Sequence, residues 1–97
     1  MAEVKLNMGQ GEQHSFDVFD EDGKVGEMSF DIKGKDLRVY HTEVNEDKEG
    51  KGYAKLLFDA MVKYTRENEL QVIPLCSYVH LQFKKRGTLY NDIWNKS

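Results

Sequence analysis

Two glycines flanking a lysine are the clearest chemical feature of the chain. Gly50-Lys51-Gly52 precedes Tyr53, where an apolar repeat with helical spacing begins. The first turn of a helix carries unpaired N–H groups and a partial positive charge, and both favour phosphate. Glycine lets a phosphate oxygen approach the backbone, and Lys51 and Lys55 supply counter-charge. The pattern predicts a phosphate-binding turn. A solvated turn is the alternative interpretation, because the GxxxxGK[ST] spacing of a Walker loop is absent.

Cys76 and His41 are the side chains most suited to reaction chemistry. Cys76 is the only cysteine, so it cannot form an internal disulfide or, by itself, a zinc site. A thiol can attack or give up a proton, and an imidazole can act as a base. Glu43, on the same strand face as His41, is a second candidate base. The alternatives are a small buried side chain for Cys76, a hydrogen-bonded strand histidine for His41 and a solvent-facing carboxylate for Glu43.

The first half of the chain reads as strands joined by short turns. Apolar residues alternate with polar ones in four segments, and turn signals such as Asp22-Gly23 separate the segments. The strands are predicted over Val4–Met8, Ser15–Phe19, Val25–Ile32 and Leu37–Val44. Strands connected this closely must pair antiparallel. The acidic run Asp20-Glu21-Asp22 is interpreted as a turn, because the other ligands of an EF-hand are missing, and no metal site is predicted.

The second half changes to helical spacing. Apolar residues at i, i+3, i+4 and i+7 predict a helix from Tyr53 to about Asn68. A short apolar run, Leu70–Leu75, predicts a buried strand, and Tyr78–Phe83 predicts a second helix. The last part of the chain, to Trp94, is expected to add a turn or short helix. The predicted order is therefore β-β-β-β-α-β-α, an α+β fold.

The long helix lies between two strands, which makes a βαβ crossover. The fourth and fifth strands should therefore be parallel in an otherwise antiparallel sheet. Ligands of open sheets bind at the carboxyl ends of strands where the strand order switches. The sequence predicts that this place is bounded by Val44, Gly52 and Cys76.

Composition limits the classes of protein that need to be considered. The chain has 97 residues, of which 39% are hydrophobic and 32% charged, and this is typical of one globular domain over residues 1–97. A net charge of −3 argues against a broad nucleic-acid surface. No apolar run is long enough for a membrane span or a signal peptide. With one cysteine, we expect a reducing, cytoplasmic setting and a monomer without nucleic-acid or membrane partners.

Three segments in this order resemble one family. Glu49-Gly50-Lys51-Gly52-Tyr53-Ala54 resembles the acyl-CoA pyrophosphate loop of GNAT acetyltransferases, usually Arg/Gln-x-x-Gly-x-Gly/Ala. His41-Thr42-Glu43-Val44 before it and Pro74-Leu75-Cys76-Ser77-Tyr78-Val79 after it are similar to the very small, single-domain members with a cysteine after the fifth strand. The resemblance covers roughly residues 25–83. Glu49 departs from the pattern, since Arg or Gln is usual there, and Lys85-Arg86-Gly87-Thr88 stands where relatives tend toward a His-Pro pair.

The resemblance implies a GNAT-like mixed sheet, binding of acetyl-CoA as co-substrate and transfer of the acetyl group to an amine. It implies that backbone amides of Gly50–Ala54 contact the pyrophosphate and that pantetheine lies between the two parallel strands. The residues expected to contact the coenzyme are Val44, Glu49, Gly50, Lys51, Gly52, Tyr53, Ala54, Lys55 and Tyr78. Cys76 is expected to take the acetyl group or protonate the coenzyme thiolate, and His41 to act as base for an amine or for Cys76. The acceptor side should be open, which favours a macromolecular or loosely held amine.

Two other functions fit the same residues. A non-catalytic module would bind or sense acyl-CoA without using Cys76 or His41. A protein-interaction domain would bind no nucleotide at its glycine turn, and calorimetry with CoA separates it from the other two.

Overall fold

A five-stranded sheet forms the centre of the protein, in a computed structural model that describes residues 2–9, 11 and 13–96. Four strands come first, followed by a helix, the last strand and two further helices. In chain order they are β1 (Glu3–Met8), β2 (His14–Asp20), β3 (Gly23–Lys33), β4 (Asp36–Val44), α1 (Tyr53–Glu67), β5 (Gln71–Pro74), α2 (Ser77–Lys85) and α3 (Gly87–Tyr90). The mixed α+β order predicted from the sequence is confirmed, and α3 is the short helix expected in the tail.

The strands lie side by side in sequence order, β1-β2-β3-β4-β5. The first three neighbouring pairs are antiparallel, and β4 with β5 is parallel, as the βαβ crossover predicts. The strand order nowhere reverses. A reversal of strand order, which the sequence interpretation assumed, is therefore not what creates a crevice in this sheet.

A separation of β4 from β5 creates the crevice instead. The two strands pair only from Asp36 with Gln71 to Val39 with Pro74. β4 then continues to Val44, whereas the segment that follows β5 turns away into α2. The last link is the N–H of Cys76, which donates to the carbonyl of Val39 at 2.9 Å. Beyond it, the only strand that pairs with β4 in the described part of the chain is β3.

The three helices pack together on one face of the sheet. α1 is amphipathic, and its buried residues include Leu57, Phe58 and Met61. The ring of Phe58 has edge contacts with Tyr78 of α2 and Tyr90 of α3, at centroid distances of 6.4 and 5.3 Å. This layer covers the apolar side chains that alternate along the strands, and aromatic pairs add to the stability of such a core.

Polar side chains occupy the opposite face of the sheet. Asp31 of β3 receives two hydrogen bonds of 2.7 Å from Arg38 and one of 2.8 Å from the hydroxyl of Tyr40. The guanidinium of Arg38 is the main reason why the pKa of Asp31 is lowered. Sheet alternation therefore separates an apolar, helix-covered face from a polar one.

Candidate active site

The chain between β4 and α1 forms a tight, glycine-containing loop. After Val44, a single 3-10 turn at Glu46–Lys48 precedes the glycines, a turn that the sequence did not predict. Gly50 and Gly52 have φ angles of 85° and 81°, in the left-handed region that glycine adopts without strain. Gly52 is the residue directly before α1, and no side chain caps this helix start. The first N–H groups of α1 are thus available to a ligand.

A cavity of about 270 Å³ lies against this loop. It extends from the end of β4 across the start of α1 to the first turn of α2. Its lining residues are Val44, Lys48, Glu49, Gly50, Gly52, Tyr53, Ala54, Lys55 and Tyr78. The structure therefore brings together every residue expected to contact the coenzyme except Lys51, which is exposed and not part of the lining. We call residues Lys48–Lys55 the loop end of the site.

Two of the three lysines of the loop end bond to carboxylates, and the third, Lys51, does not line the cavity. Lys55 donates to both oxygens of Asp59, one helical turn later, at 2.8 and 2.9 Å, and this bond raises its pKa. Lys48 is buried and bonds to Asp20 and Asp22 at the β2–β3 turn. Glu49, the departure from the usual loop pattern, is exposed. Phosphate affinity at this loop would therefore depend chiefly on backbone N–H groups rather than on a free lysine.

Lys48 is the lining residue that sequence reasoning missed. It lies within an acidic, lysine-containing stretch that looks solvated, and its burial depends on Asp20 and Asp22 more than twenty residues earlier. The carboxylate oxygens of Asp20, Glu21 and Asp22 come within 4.8 Å of one another. The ammonium group of Lys48 bonds to two of these carboxylates, Asp20 and Asp22. A cation is expected where negative charges are brought together, because it offsets their repulsion.

Cys76 lies where the crevice between β4 and β5 begins. It is only 6% exposed, follows β5 by two residues and is the residue before α2. Its sulfur is 3.3 Å from the hydroxyl oxygen of Thr42, and either atom can be the donor. Val44 and Tyr78, which line the cavity, are each two residues from this contact. We call Thr42, Cys76 and Tyr78 the thiol end of the site.

Tyr78 connects the two ends. It lines the cavity beside Lys55, and it packs edge-on against the buried ring of Phe58. Burial raises the pKa of Tyr78 above its ordinary value. Its hydroxyl therefore stays protonated at neutral pH and can donate a hydrogen bond to a group in the cavity.

His41 is not brought to Cys76. Thr42 contacts the cysteine, and neighbouring residues of a strand point to opposite faces, so His41 and Glu43 point to the polar face. The side chain of His41 is 61% exposed, and its Nε2 lies 3.0 Å from Glu43. A bulge places Tyr40 as an extra residue in β4, since Ser29 pairs with His41 but Phe30 pairs with Val39. The expectation that His41 activates Cys76 therefore has no support in the geometry.

Comparison with known proteins places this fold and loop in one family. A sequence model described as GCN5-related N-acetyl-transferase matches residues 15–93. The chain belongs to this family, as its sequence motifs implied. No curated protein matches the sequence.

Solved structures of acetyltransferases share the architecture. A GCN5-like protein from Staphylococcus aureus is 27% identical, with a TM-score of 0.69 over 96% of this chain and 87% of the other. A ribosomal-protein-alanine N-acetyltransferase from Brucella melitensis is 22% identical, with a TM-score of 0.64 over 89% of this chain and 64% of that enzyme. An aminoglycoside acetyltransferase from a soil metagenomic sample is 18% identical, with a TM-score of 0.64 over 80% of this chain and 58% of its own. At these identities the last two show the fold alone. Within the described residues, no helix is long and apolar enough to cross a membrane.

Proposed function

We propose that this protein binds acetyl-CoA and transfers the acetyl group to an amine, with Cys76 at the reacting centre. The observation that carries the proposal is the position of the cavity, which extends from the glycine loop to Val44 and Tyr78. These two residues are each two positions along the chain from the Thr42–Cys76 contact, near the edge of β4 that β5 leaves free. The loop end would hold the diphosphate, and the thiol end would face the thioester. Membership of the family supports acetyl transfer as the reaction class.

The loop has room for a phosphate group. A Cβ atom at Gly50 or Gly52 would have no heavy atom within 4 Å, so both glycines border open space. Several charge-assisted N–H bonds can converge there, each contributing about 1.5–3 kcal/mol. Glu49 lines the cavity but is exposed, so solvent screens the repulsion between its carboxylate and a phosphate. The residues present therefore fit the diphosphate of the coenzyme.

The free edge of β4 suits the extended, amide-containing arm of the coenzyme. The N–H of Asn45 donates to the carbonyl of Val25 in β3 at 2.8 Å. Because peptide groups alternate in direction along a strand, those of Thr42 and Val44 point away from β3. They are positioned to bond an arm that lies where β5 would otherwise continue.

The coenzyme would supply an acetyl thioester, and Cys76 can act on it in two ways. As a nucleophile, its sulfur bonds to the acetyl carbon while the bond from that carbon to the coenzyme sulfur breaks, and its proton leaves on the coenzyme thiol. The amine then attacks the cysteine thioester and restores Cys76. As an acid, Cys76 gives its proton to the departing thiolate after the amine attacks directly. A thiol that reacts must stay reduced, so the proposal includes a cytosolic location.

The amine would approach from the polar face of the sheet. Glu27 and Glu43 are direct neighbours across β3 and β4, where like charges repel each other, and Lys24 bonds to Glu27 at 2.7 Å. Both carboxylates line a cavity of about 210 Å³, in which a cationic amine would add a positive charge beside Glu43. His41, whose Nε2 contacts Glu43, remains the candidate base for that amine.

Intact mass and turnover test the role of Cys76. Wild type, Cys76→Ser and Cys76→Ala are incubated with acetyl-CoA, alone and with a mixture of lysine-containing peptides. Covalent transfer predicts an acetyl adduct on wild type that Cys76→Ala lacks. Acid catalysis predicts no adduct and a fall in peptide acetylation of about 10²-fold or more in Cys76→Ala. Equal acetylation by wild type and Cys76→Ala would show that Cys76 is structural.

The rival function is a module that binds acyl-CoA without turnover. Its mark would be CoA binding by calorimetry that is the same in wild type and Cys76→Ala, with no acetylation by either protein. Absence of any heat with CoA would reject both functions and favour a protein-interaction domain.

A further inference from the structure

A buried carboxylate lies directly behind the loop end. The side chain of Asp20, at the end of β2, is 1% exposed. Its Oδ1 accepts a hydrogen bond of 2.8 Å from the N–H of Asp22. Its Oδ2 lies 3.1 Å from the ammonium of Lys48 and accepts a bond of 2.9 Å from the hydroxyl of Tyr53. Both oxygens of this carboxylate are thus occupied by the protein itself.

The two partners of Oδ2 flank the glycine loop. Lys48 is the residue before Glu49–Gly52, and Tyr53 is the residue after it. One oxygen atom therefore holds the chain at both ends of the four-residue loop. The side chain of Lys48 is 10% exposed, and its second partner, Asp22, is 65% exposed. Among the residues that the structure describes, the carboxylate of Asp22 bonds to Lys48 and not to Tyr53, so it reaches only one side of the loop.

Holding both ends matters because the loop itself is weakly restrained. Its two glycines adopt left-handed angles that are open to many alternatives in a free chain. A ligand that binds a flexible loop must also order it, and this ordering lowers the observed affinity. A loop whose ends are fixed before binding has less conformational freedom to lose.

We propose that Asp20 is a positioning residue that holds the coenzyme loop in its binding conformation by bonding simultaneously to Lys48 and Tyr53. This inference rests on the proposed function, since it assigns the loop to the diphosphate. Asp20 acts from behind the loop and touches no substrate. Its bonds to a cation and a hydroxyl explain why a carboxylate is buried at the end of β2.

The charges of this group persist at neutral pH. The hydrogen bond from Asp22 N–H, followed by those from Lys48 and Tyr53, lowers the pKa of Asp20. Bonds to Asp22 and Asp20 raise the pKa of Lys48. Asp20 is therefore ionised and Lys48 protonated throughout the range in which acetyl transfer would be measured.

Asp20→Asn and Asp22→Asn form the matched pair of variants that tests the inference. Both remove one carboxylate from Lys48, but only the first also weakens the link to Tyr53. Two quantities are measured: backbone order parameters of Gly50 and Gly52 without ligand, and the CoA dissociation constant by calorimetry. Asp20→Asn is expected to lower the order parameters toward flexible values below about 0.6. It should weaken CoA binding by about tenfold, as expected when about a tenth of the molecules have a competent loop. Asp22→Asn should change both quantities less.

Turnover separates positioning from chemistry. Asp20→Asn should keep kcat within about twofold of the wild-type value, while its KM for acetyl-CoA should rise about tenfold. Should Asp20→Asn fail to fold, Asp20→Glu, which keeps the charge but lengthens the side chain, is measured by the same criteria.

The outcomes distinguish this inference from the function on which it rests. CoA binding that is equally strong in wild type and Asp20→Asn would overturn the positioning role and leave coenzyme binding intact, whatever the order parameters show. A wild type that binds no CoA would overturn the proposed function, and the positioning role with it, even if Asp20→Asn loosens the loop. Weaker binding together with a looser loop supports both.

Discussion

The loop end of the site is formed mainly by residues that are close together in the sequence, whereas the thiol end is formed by residues that are far apart. The loop end is local: its glycines, its helix start and most of the cavity lining lie within eight consecutive positions of the chain, 48–55. The thiol end is assembled over a long range, since Thr42 and Cys76 are 34 residues apart and meet through strand pairing. A local site can be moved or redesigned by local substitution, whereas the thiol end depends on the register of β4.

A single buried ring joins the helices that carry the two ends. Phe58 of α1 is 1% exposed and packs edge-on against Tyr78 and Phe83 of α2 and Tyr90 of α3. α1 carries the loop end at its start, and α2 follows directly from Cys76. Separation of α1 from α2 would therefore disrupt both ends of the site.

The largest effect is expected from Phe58→Ala. Removing a buried aromatic ring leaves a cavity and lowers the free energy of unfolding by about 3–5 kcal/mol. Urea unfolding measures this loss. The matched control is Phe83→Ala, which also removes a fully buried ring but leaves the contact between Phe58 and Tyr78 in place.

Both variants should lose comparable stability, but Phe58→Ala should weaken CoA binding more at a temperature where both remain folded. Equal CoA affinity in the two variants would mean that the ends of the site are not joined through Phe58.

A smaller effect is expected from Gly52→Val, which acts on the loop end alone. A β-branched residue at φ 81° is strained by about 1–2 kcal/mol, although no neighbouring atom obstructs its Cβ. If the loop relaxes to avoid the strain, CoA binding weakens by about tenfold, as measured by calorimetry. Alkylation of Cys76 should not change.

Gly34→Val is the matched control for this strain. Gly34 lies in the β3–β4 turn, has a φ of 63° and also borders open space. The Gly34→Val variant should lose a similar free energy of unfolding and keep the CoA affinity of the wild type. Equal weakening of CoA binding in both variants would assign the effect to overall stability rather than to the loop.

The same contrast explains what the sequence could predict. Strand alternation, helical spacing and the glycine turn are short-range patterns. The element order, the parallel pair and all the lining residues of the loop except Lys48 could therefore be predicted from the sequence. Lys48 depends on its pairing with Asp20 and Asp22, which no local pattern indicates. His41 was expected to be the base for an amine or for Cys76 because it lies on β4. The face that a strand residue occupies near a bulge cannot be read from sequence alone, so the sequence could not choose between the two roles.

The smallest effect, expected from Thr42→Val, tests that register directly. Valine has nearly the shape of threonine but lacks the hydroxyl that lies 3.3 Å from the Cys76 sulfur. When the thiol ionises to react, this hydroxyl can donate to the negative sulfur, and one such bond is worth about 0.5–1.5 kcal/mol. Alkylation of Cys76 by a small reagent at neutral pH should therefore slow by about twofold to tenfold. His41→Asn, one residue away on the opposite face, should leave the alkylation rate unchanged. If His41→Asn slowed alkylation and Thr42→Val did not, β4 would present its other face to the thiol in solution, and the arrangement of the thiol end described above would be wrong.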